Sequence, residues 1–358
     1  MTRPVVISID AMGGDHGPSV AVPGVAIAVQ RLAGRDVRYL LHGDAALIEA
    51  ELARHPAARA VSEVRHTDRA VAADEKPAQA LRRGKGTSLW NAIEAIRDKE
   101  ADAAVSAGNT GALMAMSKLI LRMSVGLDRP AIVASWPTAR GVSAVLDVGA
   151  NITSDATQLV EFAIMGAAFH AAVHSKDRSR RSTVGLLNVG SEDVKGHEEV
   201  REAGRLLRET SLDLDYYGFV EGDDIAKGTV DVVVTDGFTG NIALKTAEGM
   251  AKHFFVPIIR ETLTSTLLAK LGAVIASGAL KQMKGRLDPS SVNGGPLLGL
   301  NGVVVKSHGG TDAKGFANAL KVAADLAASD YAEQIARNMD RFGAALPGVQ
   351  AAAAEGAE

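Results

Sequence analysis

The apolar positions of this chain follow one repeated order: a short apolar run, a loop rich in glycine, and a segment with helical spacing. The first run, Val5–Asp10, is rich in β-branched residues and leads through a Gly-rich loop into helical spacing over 19–32. Similar runs lie at 37–42, 102–106, 142–147, 183–188, 230–236 and 303–306. Strands that alternate with helices predict an α/β fold, with a mostly parallel sheet covered by helices on both faces.

The stretch 241–286 departs from this order, because it has helical spacing and no strand pattern. Between Lys252 and Arg286 it carries six basic residues and one acidic residue, Glu261, among large apolar residues. We predict a helical hairpin over 250–286 that either packs against a second subunit or lies on a membrane surface. The residues predicted to contact the membrane are Phe254, Phe255, Leu267, Leu268 and Leu271.

Length and composition indicate one large α/β domain over 1–345, and a tail at 346–358 whose Ala, Gly and Glu content predicts disorder. The 358 residues are 47% hydrophobic and 23% charged, which is ordinary for a globular protein. The net charge of -3 shows no basic excess that would indicate nucleic acid. The sequence has no cysteine, which excludes disulfides, thiolate metal sites and a Cys nucleophile. Neither a signal peptide nor an apolar run long enough to span a membrane is predicted.

Glycine-rich or polar loops follow most predicted strands, at the strand ends where parallel sheets bind ligands. Glycine allows close approach of the backbone and helix N-termini favour anions, so converging loops predict a site for phosphate or another oxyanion. Met12 stands where a dinucleotide fingerprint needs its first glycine, which argues against NAD binding. Asp10, Asp147 and Asp236 all end strands and are candidates for a shared metal site, but such residues more often cap helices or orient loop amides. We predict no metal.

The loop sequences resemble those of one family. Residues 9–18, IDAMGGDHGP, are similar to the opening of the bacterial phosphate acyltransferases of phospholipid synthesis. Five further segments resemble that family in the same order: SAGNTGALM at 106–114, LDVGAN at 146–151, GLLNVG at 185–190, DGFTGN at 236–241 and GGPLLG at 294–299. The resemblance runs from residue 5 to about residue 335.

The resemblance implies transfer of a long-chain acyl group from acyl carrier protein to inorganic phosphate, without a cofactor. It implies a three-layer α/β/α sandwich like that of phosphotransacetylases and isopropylmalate dehydrogenases, usually as a homodimer. The product would pass to a membrane glycerol-3-phosphate acyltransferase, so we expect a cytoplasmic protein that associates peripherally and reversibly with the inner membrane face. Two alternatives are an NAD-dependent dehydrogenase of related fold and a non-enzymatic scaffold on a lipid surface.

This chemistry needs two positioned reactants and a stabilised oxyanion, but no nucleophile from the enzyme. The candidate ligands of phosphate or oxyanion belong to Gly-rich loops at helix starts: Gly13, Gly14, Asn109, Thr110, Gly111, Gly240 and Asn241. Lys195 and Lys245 are candidates for positive charge, and solvated surface roles are the alternative for both. His308 is a candidate for proton transfer or for donation to the oxyanion, and Asp10 for orienting loop amides.

Acyl carrier proteins are acidic, so the resemblance also predicts a basic docking surface. Two segments supply the charge, RRGK at 82–85 and KDRSRR at 176–181. A solvated basic loop is the alternative for either segment.

Overall fold

The strands form one continuous mixed sheet. A computed structural model describes residues 3–175, 177, 179–281 and 292–345. Its strands are β1 (Val5–Asp10), β2 (Val37–Gly43), β3 (Ser62–His66), β4 (Ala103–Ser106), β5 (Ala131–Thr138), β6 (Gly141–Leu146), β7 (Thr183–Leu187), β8 (Asp215–Val220), β9 (Val232–Val234), β10 (Gly295–Leu298) and β11 (Val303–Lys306). Within the described residues these eleven strands have the order β3-β2-β1-β4-β11-β10-β5-β6-β9-β7-β8.

Helices cover both faces of the sheet. They are α1 (Pro18–Arg31), α2 (Ala45–Leu52), α3 (Pro56–Arg59), α4 (Pro77–Arg83), α5 (Ser88–Arg97), α6 (Thr110–Leu121), α7 (Ala156–Val173), α8 (Glu198–Glu209), α9 (Gly222–Lys227), α10 (Gly237–Gly249), a π-helix (Met250–Phe255), α11 (Val256–Thr264), α12 (Leu267–Ile275), α13 (Ala313–Ala327) and α14 (Tyr331–Ala345). Helices α1, α7, α8 and α13 pack on one face, and α4, α5, α6 and α9 on the other. The predicted α/β fold with helices on both sides is therefore confirmed.

The direction of the strands reverses in the middle of the sheet. The pairings of β11 with β10, β10 with β5, and β5 with β6 are antiparallel, and the other seven of the ten pairings are parallel. Strands β1, β4 and β11 consequently end at one edge, called here the first loop edge. Strands β6, β9 and β7 end at the opposite one, the second loop edge. The expectation that all these loops converge at one edge is wrong for this reason.

The longest helix of the core is α7. Its start is fixed by a capping box, in which Asp155 accepts from the backbone of Gln158 while the Gln158 side chain bonds back to Asp155. By length and composition α7 could cross a membrane, but 72% of its apolar window is buried inside the protein. It contacts β6, β9 and α13, so it is the central core helix of one face.

The C-terminal helical region differs from the prediction. The sequence predicts one helix from 312 towards 339, whereas the structure has α13 and α14 separated at residues 328–330. Strands β3, β5, β8 and β10 were not predicted. The predicted tail at 346–358 lies outside the described residues, as do 282–286 of the predicted hairpin.

Candidate active site

A polar cavity of about 250 Å³ lies at the first loop edge, where three strand ends meet. The loops after β1 and β4, the end of β11, and a segment that precedes α4 form its walls. Its lining residues are Met12, Gly14, Asp15, Val71, Ala73, Ala107, Gly108, Asn109, Thr110, Lys306 and Gly309. Three of the predicted ligand residues, Gly14, Asn109 and Thr110, are therefore brought together here.

Asp10 lies beneath these loops rather than in the cavity wall. It is 3% exposed, and its Oδ2 accepts a hydrogen bond from Ser106 Oγ at 2.7 Å. Ser106 Oγ in turn accepts from the backbone N–H of Gly108 at 3.0 Å, and burial raises the pKa of the Asp10 carboxyl. A Cβ at Gly13 would stand 2.6 Å from Asp10 Oδ2 and 2.7 Å from Gly108 N, so only glycine fits there. Asp10 thus orients the backbone of the second loop.

Asn109 joins two walls of the cavity. Its Oδ1 caps α6 by accepting from the backbone N–H of Ala112 at 3.0 Å. Its Nδ2 donates to the carbonyl oxygens of Ala73 at 3.0 Å and Glu75 at 2.8 Å. Both ends of the amide are used within the protein, so this geometry favours a positioning role over direct donation to a ligand.

Lys306 is a cavity residue that the sequence did not identify. It ends β11, where a lysine after three valines has the pattern of a strand that emerges into solvent. In the structure its Nζ donates to the Ala107 carbonyl oxygen at 3.2 Å and to the Ser307 carbonyl oxygen. Burial lowers the pKa of the Lys306 ammonium to about 8, against the opposing effects of Asp10 and Asp15. Lys306 is the one cation among the cavity's lining residues, all of which the structure describes.

The other predicted loop ligands lie at the second loop edge. A Cβ at Gly240 would stand 2.0 Å from the Asp147 carbonyl oxygen, and the Asn241 side chain lies beside Gly149. Asp147 accepts hydrogen bonds from the backbone N–H groups of residues 132, 149, 150 and 151, and Asp236 caps α10. Over the described part of the chain, no group of three or more His, Asp or Glu side chains could hold a metal ion. The suggested cluster of Asp10, Asp147 and Asp236 is separated by the reversal of the sheet.

The predicted lysines and histidine are exposed. Lys195 pairs with Glu192 and Lys245 with Glu248, each at 2.8 Å, and neither lysine lines the cavity. His308 lies at the first loop edge next to the cavity, and its Nδ1 accepts from the backbone N–H of Gly310 at 3.2 Å. Of these three, His308 alone is close to the cavity walls, through its neighbour Gly309.

The architecture has known counterparts among phosphotransacetylases. The EutD phosphotransacetylase from Staphylococcus aureus superposes with a TM-score of 0.58 over 90% of this chain and 94% of its own, at 16% identity. A phosphotransacetylase from Streptococcus pyogenes gives the same TM-score and coverage at 17% identity. At such identities the likeness concerns the fold alone, which is the α/β class that the resemblance implied.

The sequence comparison is more specific than the fold. Residues 5–334 match the model of the family described as fatty acid synthesis protein, and the chain belongs to that family. The phosphate acyltransferase of Caulobacter vibrioides is 69% identical over 356 residues, which cover 99% of this chain and 97% of the relative. The implied family membership is confirmed.

Proposed function

We propose that this protein is a phosphate acyltransferase that transfers a long-chain acyl group from acyl carrier protein to inorganic phosphate. The observation that carries the proposal is the high identity, over nearly the whole chain, to a phosphate acyltransferase. The polar cavity supports it, since it combines a lysine with the start of α6. The dehydrogenase alternative is not favoured, because Met12 interrupts the fingerprint and lines this same cavity.

In this proposal a phosphate oxygen attacks the thioester carbonyl carbon. A C–O bond forms, the C–S bond breaks, and the carrier thiolate leaves and takes up a proton. Lys306 would balance the charge of phosphate in the cavity. Thr110 and Gly111 begin α6, where backbone N–H groups have no partner within a helix and favour an oxyanion. Asp10 and Asn109 would hold these loops in place, and His308 is the candidate proton donor to the thiolate.

Turnover in the presence and absence of phosphate tests the proposal. Purified protein with palmitoyl-acyl carrier protein is expected to form palmitoyl phosphate, detected by mass spectrometry, and to release free carrier only when phosphate is present. Release of carrier at an equal rate in phosphate-free buffer would identify a thioesterase instead. Dependence of turnover on added nicotinamide cofactor would identify a dehydrogenase.

We propose that acyl carrier protein docks on the α4 basic patch, formed by Arg82, Arg83 and Lys85. All three side chains are exposed, and α4 packs against α6 next to the polar cavity. Arg69 fixes the segment, because its guanidinium donates to the carbonyl oxygens of residues 83 and 85 at 2.6 Å each. The other basic segment, at 176–181, is less available for docking an acidic protein, because Arg180 already pairs with Asp231 and Arg181 with Asp213. Residues 176 and 178 lie outside the described residues.

Reversing the charge of this patch is expected to weaken carrier binding without affecting chemistry. In the double variant Arg82→Glu, Arg83→Glu we expect the KM for acyl carrier protein to rise about 10-fold at low salt while kcat stays nearly unchanged. Arg201→Glu, an exposed charge reversal on the opposite face of the sheet, is the control. Steady-state rates at two salt concentrations provide the measurement. An equal rise of KM in both proteins would exclude docking on α4.

We propose further that the helical arm, residues 250–281 of the described chain, places this cytoplasmic enzyme on the inner membrane surface. Helix α12 follows α11 after a break at residues 265 and 266, where the Thr266 side chain caps the start of α12. In α12, the tip of the predicted hairpin, Leu267, Leu268 and Ile275 are 85%, 82% and 80% exposed. Apolar surface of this extent marks a binding face. Phe254 and Phe255, which are also predicted to contact the membrane, are about half exposed, and contact with a second subunit in a homodimer is the alternative. The position would bring acyl phosphate close to a membrane glycerol-3-phosphate acyltransferase.

The arm is expected to bind anionic vesicles reversibly. Each basic residue near such a surface contributes roughly 1 kcal/mol, and each large apolar side chain that becomes buried contributes roughly 1.5–3 kcal/mol before ordering costs. Sedimentation with vesicles should weaken with salt and fall sharply in the variant Leu267→Glu, Leu271→Glu, which should keep the wild-type oligomeric state. Leu47→Glu, on α2, is the control. If the double variant loses its oligomeric state, or wild type never sediments with vesicles, the arm tip is a subunit interface.

A further inference from the structure

An apolar groove runs along the outer face of α6, beside the polar cavity. Its volume is about 730 Å³, and Gly111, Met114, Ala115 and Leu119 of α6 form its floor. Pro77 stands at the near end, where a Cβ on Gly111 would lie 2.6 Å from its Cγ. The side walls and the far end consist of Lys118, Arg129, Pro130 and Asn151. The groove therefore leads from the first loop edge towards the second.

The sequence of α6 is unusual for a helix at the surface. One face packs into the core through Leu113, Met116 and Ile120, which are at most 8% exposed. The opposite face of a surface helix is normally polar, yet here it carries the half-buried Met114 and Ala115 and the 55% exposed Leu119. A helix that is apolar on both faces indicates that something apolar covers the outer one.

The polar side chains along the groove have partners of their own, and Arg129 Nε lies 3.5 Å from Asp128 Oδ2. Lys118 is exposed, and its Nζ donates to the Asp128 carbonyl oxygen at 3.4 Å, so its aliphatic stem remains beside the groove. Asn151 is 6% exposed, and its Nδ2 donates to the Pro130 carbonyl oxygen at 2.8 Å and to Asp147 Oδ2 at 3.0 Å. The far end is thus a fixed wall, and the surface between the two ends is suited to hydrocarbon.

We infer that this groove binds the part of the acyl chain nearest the thioester and sets the preference for long chains. The inference rests on the function proposed above. The two sites adjoin at residues 109–111, since Asn109 and Thr110 line the polar cavity and the next residue, Gly111, lines the groove. A thioester carbonyl at the start of α6 would face phosphate on one side and continue into the groove on the other. The floor from Gly111 to Leu119 spans about 12 Å, at the helical rise of 1.5 Å per residue.

Ala115→Trp should block the middle of the groove and discriminate against long chains. Each methylene removed from water contributes roughly fourfold in affinity, so losing a few should lower kcat/KM for palmitoyl-acyl carrier protein at least about 10-fold. Butanoyl-acyl carrier protein, which ends before residue 115, should be used within about twofold of the wild-type rate. Ala50→Trp, at an exposed alanine of α2, is the matched control and should leave both substrates unchanged. Equal losses for both acyl chains, or no loss for either, would overturn the inference.

A second variant, Leu119→Glu, tests the groove independently in case Ala115→Trp does not fold. Leu119→Glu places a charge at the far end of the floor, and Leu47→Glu is its matched control, because these leucines are 55% and 52% exposed. We expect the same selective loss with palmitoyl substrate for Leu119→Glu only. Binding of cis-parinaric acid, a fluorescent long-chain fatty acid, gives a readout independent of turnover and should weaken in both groove variants. If wild type forms no acyl phosphate from either substrate, the proposed function fails, and this binding assay still decides whether the groove holds an acyl chain. Unaltered binding of cis-parinaric acid in both groove variants would exclude the groove as the site of the acyl chain.

Discussion

Replacing Lys306 with methionine is expected to lower kcat/KM for phosphate by about 100- to 1000-fold, the usual loss when one charged or polar contact to a reacting oxyanion is removed. The reason is that Lys306 is the one cation among the described residues that line the cavity, and the acidic residues Asp10 and Asp15 lie near it. Without it, a phosphate dianion would have no cationic side chain of the cavity lining to balance its charge. Steady-state kinetics at varied phosphate give the value. Lys314→Met, at an exposed position on α13, is the control and should behave as wild type.

The same lysine predicts a pH dependence. Burial lowers the pKa of Lys306 to about 8, so in the empty site the ammonium loses its proton as pH rises through that value. Phosphate binds the charged form better, so the KM for phosphate should rise above about pH 8. Lys306→Arg, whose guanidinium stays protonated, should retain part of the activity and lose this dependence. A Lys306→Met protein within threefold of wild type, or one that keeps the same pH profile, would contradict the assignment.

The second large effect concerns Asn109, which is expected to act through position rather than contact. Asn109→Ala removes the cap of α6 and both hydrogen bonds to the segment at residues 73 and 75. Displacement of a reacting group by about 1 Å can lower turnover roughly 100-fold, and we expect a fall in kcat of that order. Loss of a helix cap should lower the free energy of unfolding by about 1 kcal/mol. Enzyme kinetics and urea unfolding measure the two quantities separately.

Two companion variants make this test specific. Asn109→Asp keeps an oxygen to cap α6 but cannot donate to the carbonyl oxygens of residues 73 and 75, which would repel its carboxylate, so it should regain at most the stability of the cap and leave kcat low. The sequence alone predicts that Asn109→Ala and Asn241→Ala both lose most of their activity, because both asparagines follow strands in glycine-rich loops. The structure places Asn241 beside Gly149 at the second loop edge, so we expect Asn241→Ala to lose far less activity. Equal losses in the two alanine variants would contradict the placement of the reacting phosphate at the first loop edge.

The pattern of the sequence predicts the local structure better than the arrangement of the sheet. Apolar runs followed by glycine-rich loops identify β1, β4 and β11, and with them most of the polar cavity. The reversal depends on β5 and β10, which were missed because each contains a proline, Pro137 and Pro296, and because β10 has only four residues. Proline argues against a strand within a sheet, and short strands carry little periodicity. The sequence pattern therefore predicts one edge of ligand-binding loops, whereas the structure has two.

The parts of the site that the sequence did not predict also depend on contacts between distant segments of the chain. Nothing local separates Lys306 from a solvated lysine, since its burial comes from the loops at 11–15 and 107–109, which are distant in sequence. The groove could not be predicted from the sequence either. In the sequence, Met114, Ala115 and Leu119 have the pattern of a core helix, and only the structure shows that a different face of α6 packs into the core. Asn109 was predicted as a ligand of phosphate or oxyanion and lines the cavity, and its hydrogen-bond partners at 73 and 75 depend on tertiary structure.

The place of β11 between β4 and β10 has a consequence for how the chain is made. Strand β4 is synthesised early, when β1 is the only one of its two partner strands that has been made. Its other edge stays unpaired until β11, residues 303–306, has been synthesised. At ordinary rates of translation the intervening chain takes roughly 10–40 s to synthesise. An unpaired apolar strand edge exposed for that time is a site for intermolecular pairing. Nascent chains of this protein should therefore depend on chaperones more than their mature stability suggests, and chains that end before residue 303 should aggregate.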